Sequence, residues 1–138
     1  MSNPYTTEQG AATAAGNSVD AAEAASNHQW EYGAFWAKSG DSYYATFAVT
    51  SHWPTAVFWA PGALHDFFTN YDVLGYTHYH IVPALGWSFS DADKATARLW
   101  SSQESTFHAF FLQYQYGAYR LMNGSGVKCG GVLLSCGP

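Results

Sequence analysis

An abrupt change of composition near Asn27 constrains this chain more than any other feature. From Thr6 to about Asn27 the sequence is rich in Ala, with scattered Ser, Asn and Glu, and it holds no aromatic residue. Ala is the strongest helix former, so this stretch predicts a helix, with a break expected near Gly16. Its apolar face is mostly Ala, which suits close packing against a sheet. Beyond it aromatics crowd in: six Trp, nine Tyr and nine Phe follow Asn27. That much apolar surface offsets the entropy of ordering and excludes a disordered chain. The length fits one domain.

The remaining elements follow from local pattern. Glu31 to Ala37 alternates with aromatics, Lys38 to Asp41 carries a Ser-Gly turn signal, and Ser42 to Thr50 is rich in Tyr, Thr, Phe and Val. This predicts two strands joined by a tight turn. A short strand is expected over Thr55 to Ala60, then a helix or loop over Leu64 to Asn70, then a strand over Val73 to His80. Ser90 and Asp93 form a capping box that starts a helix running to about Trp100. Thr106 to Gln113 and Gly117 to Met122 read as closing strands, and the tail after Asn123 is Gly-rich with one apolar stretch at Val132 to Leu134. Helix, strands, helix, strands imply a single α+β domain over 1–138: an N-terminal helix in 1–29, a core over 31–122 and the tail over 123–138.

Charge removes several partner classes. The formal net charge is −5 with only five Lys and Arg in all, so no basic stripe is available for nucleic acid and no polybasic segment for a membrane surface. No apolar run approaches the length of a membrane helix. The N-terminus lacks a cationic segment followed by an apolar one and does not read as a secretory signal; a domain delivered as part of a larger protein would look the same. Cys129 and Cys136 are too few for a disulfide framework. They form one bridge or stay as small buried thiols, and in either case stand outside the active site.

The residues that carry chemistry lie between Gly75 and Asp91. His78 and His80, two apart on a predicted strand, point their imidazoles to the same face. Asp91, in the first turn of the following helix, is placed to fold back toward them. Two imidazoles and a carboxylate with a fourth position open make a catalytic rather than a structural zinc site, in which bound water acquires a pKa near neutrality. Such water needs a proton acceptor that later protonates the leaving amine, and Glu31, heading the first strand, is the candidate. Ser88 is placed to donate to an oxyanion. His28, His52, His65 and His108 match no ligand spacing and read as surface or edge residues.

His-x-His, seven residues, Ser-x-x-Asp resembles the JAMM (MPN-plus, JAB) zinc metallopeptidase signature, and the upstream Glu31-x-Gly33 resembles the family's bacterial branch. Glu31-Tyr32-Gly33, the Tyr43-Tyr44-x-Thr46 hairpin after Gly40 and the Phe-Ser-x-x-Asp helix start are similar, more narrowly, to JAB-like domains at the C-termini of RHS-type and other polymorphic bacterial toxins. One departure is Ile81, where many members have Pro after the second His. The resemblance implies a JAMM/MPN-like (cytidine-deaminase-like) fold, a curved mixed sheet flanked by helices. It implies Zn2+ held by His78, His80 and Asp91, with Glu31 and Ser88 as catalytic groups. The implied activity is hydrolysis of a peptide or isopeptide bond in a protein or peptide substrate, in a toxin or effector context with an immunity protein as a conceivable partner. Two other readings share the same residues: a non-catalytic binding module on this fold, and a zinc amidase acting on a cell-wall peptide or other amide.

Overall fold

The computed structural model describes residues 1–27, 30–50, 61–79, 89–114, 117–122 and 125–130. Several expectations lie outside them: the strand over 55–60, His28, His52, His80, Ser88, the Val132 to Leu134 stretch and Cys136. The described elements are, in chain order, α1 (Glu8–Ala25), β1 (Gly33–Ser39), β2 (Ser42–Ala45), α2 (Pro61–Asn70), β3 (Asp72–Tyr79), α3 (Asp91–Gln103), β4 (Ala109–Tyr114), β5 (Gly117–Met122) and β6 (Ser125–Gly130). The architecture is α+β, as expected, around one mixed sheet in the order β2-β1-β3-β4-β5-β6. Among the described strands only the β3–β4 pair is parallel, and α3 lies in the connection between those strands.

Helix α1 starts where Thr7 caps it, its Oγ1 accepting from the Gly10 N–H at 3.0 Å. It ends at Ser26, followed by Asn27 with a φ of 58°, a left-handed residue of the kind that closes helices. The expected break at Gly16 does not occur. Gly16 is buried against the sheet, and its carbonyl accepts from Gln113 Nε2 at 3.1 Å, so the glycine serves close approach and not a break. Ala11, Ala12, Ala15 and Val19 pack on Ala34, Trp36, Ala109 and Phe111, forming one core layer in which small helix residues meet large strand residues.

The opposite face of the sheet is covered by α2 and α3. Phe35, Val73, Tyr76, Phe110 and Leu112 form its floor, and Trp100, Ala97 and Phe89 close over it, with Phe67 and Phe68 of α2 packed alongside. Trp100 meets Phe35 and Tyr76 with ring centroids 5.0 Å from each. Two register irregularities shape the sheet. Trp36 pairs with Gly75 but Ala37 pairs with Val73, so Leu74 is an extra residue in β3. That bulge lies within the strand leading to His78.

Two expectations of extent are corrected. The second strand stops at Ala45 instead of Thr50, because Thr46 turns its N–H and hydroxyl to Phe35 and Val49 returns only as a bridge to Gly33. The Gly-rich tail contributes an edge strand, β6, which includes Cys129. No helix among the described residues is long and apolar enough to cross a membrane.

Candidate metal centre and active site

His78 lies near the C-terminal end of β3 and is 2% exposed. Its Nδ1 donates to the Phe111 carbonyl of β4 at 2.8 Å, because a carbonyl oxygen can only accept. In the neutral ring this fixes the tautomer and leaves Nε2 with its lone pair available. The ring stacks on Tyr76 at 5.8 Å and 16° between planes, and lies 5.4 Å from the Phe110 ring. Packing and one hydrogen bond therefore hold a basic nitrogen in a fixed direction.

The carboxylate at that nitrogen is Asp93, with Oδ1 3.2 Å from His78 Nε2. The α3 N-terminus aims it. Ser90 caps the helix, its Oγ accepting from the Asp93 N–H at 3.1 Å, while the Ser90 N–H donates to Asp93 Oδ2 at 3.0 Å. The capping box thus occupies one carboxylate oxygen and turns the other to the imidazole. Asp91, the carboxylate expected from the motif spacing, is exposed at the first position of α3. The two acids are two residues apart on a helix, about 200° around its axis, so they cannot share a face. The signal for Asp93 was present in the sequence: Ser-x-x-Asp occurs twice in overlapping frames, as Ser88…Asp91 and as Ser90…Asp93.

Burial pulls the His78 pKa down, but Asp93 outweighs it through charge and hydrogen bond, and Glu31 adds to the upward shift. An imidazole nitrogen beside a carboxylate oxygen supplies two donors of the kind that a nitrogen- and oxygen-preferring divalent metal takes. Among the described residues no group of three or more His, Cys, Asp or Glu is gathered closely enough to hold a metal. His80, the second imidazole of the pair, is outside that set, as is Ser88.

Glu31 is 4% exposed and stands two residues before β1, the strand next to that of His78. Its chain position is fixed on both sides. Tyr32 accepts from the Tyr79 N–H at 3.2 Å and donates its own N–H to Glu23 Oε1 at 3.1 Å. Gly33 of the Glu-x-Gly motif has a steric reason: a Cβ there would overlap the Tyr76 hydroxyl, the ring that stacks on His78. Glu23, a fully buried acid near the end of α1, was not foreseen, because an Ala-rich helix gives no sign of which polar residue it buries. His108 pairs with Glu8 at 2.5 Å, remote in role from the His78 cluster, which agrees with its reading as an edge residue. Comparison with protein-family models, with curated proteins and with solved structures gives no match.

Proposed function

We propose that this chain is a zinc-dependent hydrolase of the JAMM/MPN kind that cleaves a peptide or isopeptide bond, in the setting of a bacterial toxin or effector domain. The observation that carries the reading is the His78 cluster: Nδ1 tied to the Phe111 carbonyl, Nε2 directed at Asp93, and a buried Glu31 acting electrostatically on the same ring. Buried imidazole with one nitrogen anchored to a backbone carbonyl is the arrangement that second-sphere control of a metal ligand requires.

In this reading His78 and His80 supply the nitrogen ligands, and an α3 carboxylate supplies the oxygen. Asp93 is preferred over Asp91 because it is the acid at Nε2. A bound zinc ion supplies Lewis acidity, lowering the pKa of water and polarising an amide carbonyl. Glu31 takes the proton from the attacking water and delivers it to the departing nitrogen. Ser88 donates a hydrogen bond to the developing oxyanion. The aromatic wall of Tyr76, Phe89 and Phe110 excludes water from the His78 side and strengthens each of these charge interactions.

The test is metal analysis of the purified chain. One zinc per chain is expected, falling to none when His78 and His80 are both changed to Ala. A full equivalent of metal in that double variant would overturn the ligand assignment and with it the hydrolase reading.

A further inference from the structure

A cleft of about 400 Å³ opens between α3 and β4, beside the candidate metal centre. Its floor is apolar, with Ala97, Phe107 and Phe110; Lys94, Arg98 and Ser101 line it from α3, and His108, whose charge partner is Glu8, lines it just before β4. The chain has five Lys and Arg against ten Asp and Glu, so partners for a cation are plentiful, yet two of the five stand one helical turn apart on this side of α3. The ion pairs found among the described residues are His78–Asp93 and His108–Glu8, and neither involves Lys94 or Arg98. Like charges four residues apart on a helix repel each other, so this placement costs helix stability, and no ion pair among the described residues offsets it. An apolar floor with cations beside it suits a side chain that has a hydrocarbon stem and an anionic end.

Position ties the cleft to the site. Lys94 follows Asp93 directly in α3, and the floor residue Phe110 has its ring 5.4 Å from that of His78. We infer that this cleft binds an acidic side chain of a peptide, with Lys94 and Arg98 as its charge partners, and so directs the chain to substrates carrying Glu or Asp near the bond to be cut. The inference rests on the hydrolase reading for the meaning of the neighbouring site, but the binding itself needs no metal. The glutamate methylenes lie against Phe107 and Phe110 while the carboxylate reaches the two cations. At ordinary ionic strength charges are screened beyond about 10 Å, so these two local cations, and not the net charge of the chain, decide the preference.

The experiment is calorimetric titration of the metal-free full chain with capped tetraglutamate, tetraglutamine and tetralysine peptides, and with inorganic phosphate alone. Tetraglutamate should bind at least about tenfold more tightly than tetraglutamine, and more weakly as salt is added. Changing both cations, K94Q/R98Q, should abolish that difference, and K94E/R98E should shift the preference to tetralysine. Arg98 is exposed and Lys94 half-buried, so thermal unfolding should verify that both variants fold. Equal affinity for tetraglutamate and tetraglutamine, or tetraglutamate affinity unchanged in K94E/R98E, would overturn the inference. So would phosphate that binds as tightly as the peptide, since the cleft would then be a site for a free anion. Zinc content measured on the same preparations separates the two readings: tetraglutamate binding by a chain that takes up no zinc supports the cleft and defeats only the hydrolase.

Discussion

Gly33 and His78 face each other across the antiparallel β1–β3 ladder. That pairing brings the head of β1, with Glu31 two residues upstream, to the end of β3 where His78 lies. From the other side of β3, β4 provides the Phe111 carbonyl that orients the His78 ring, and the capped end of α3 provides Asp93. Four segments distant in sequence thus meet at one imidazole, which is how a rigid sheet gives a site more precision than loops alone could.

The two α3 acids can be told apart directly. Asp93→Asn keeps an oxygen to accept from the Ser90 N–H, so the cap and the fold should survive, while the charge at His78 is lost. Zinc affinity should fall by more than the ten- to hundred-fold typical of losing a supporting group. Asp91→Asn, at an exposed position, should change affinity little. Competition titration with a chromogenic chelator measures both, and the reverse ranking would restore Asp91 as the ligand.

Much of this arrangement was legible in the sequence, and the exceptions have physical causes. The capping box at Ser90 and Asp93, the hairpin around Gly40 and the strand with His78 follow from local pattern, which short-range interactions decide. That Asp93, and not Asp91, is the acid at His78 Nε2 was hidden because motif spacing counts residues, whereas contact across the fold depends on helix phase. The continuity of α1 through Gly16 was hidden because it depends on Gln113, 97 residues away. Strand β6 was hidden because Ser125–Gly130 has poor strand propensity and is held by its backbone ladder to β5.

Glu31→Gln should retain zinc and the melting temperature of the parent yet lose hydrolysis, since it removes proton transfer and leaves coordination intact. Ser88→Ala should be milder, reducing the rate by about two to three orders of magnitude, the usual effect of one oxyanion donor. Zinc content and turnover of a mixed peptide pool, measured together, check both. Turnover of the Glu31 variant at the parental rate would exclude this residue as the proton carrier.

Gly33→Ala probes the packing behind the site. The added methyl overlaps the Tyr76 hydroxyl, and Tyr76 stacks on His78, so the clash should both destabilise the fold and weaken metal binding. Overpacking of this kind costs about 1–3 kcal/mol. Tyr76→Phe removes the hydroxyl, and in the Gly33→Ala background it should restore part of the loss. A double-mutant cycle on thermal unfolding measures the coupling, and additive effects would show that the two groups do not collide.

Glu23 makes the stability of the fold depend on pH in a direction opposite to that of most carboxylates. Burial pushes its pKa from 4.5 up to about 8; the Tyr32 N–H opposes the shift, and Glu31 and Asp20 reinforce it. Burial raises the pKa of Asp20 as well. A carboxyl that binds its proton more tightly when folded adds stability that is complete below its unfolded pKa and is lost as pH climbs through the folded one. The melting temperature should therefore fall between about pH 5 and pH 8. Glu8 works in the opposite sense: burial would raise its pKa, but hydrogen bonds from His108 and Trp36 outweigh this and hold it below 4.5, so its effect is confined to more acidic solutions. Glu23→Gln keeps an oxygen to accept from the Tyr32 N–H and cannot ionise. Calorimetric scans of this variant should show a higher melting temperature than the parent at pH 8 and a flatter profile down to pH 5. A variant whose melting temperature tracks the parent across that interval would mean that Glu23 ionises no differently in the folded and unfolded chains.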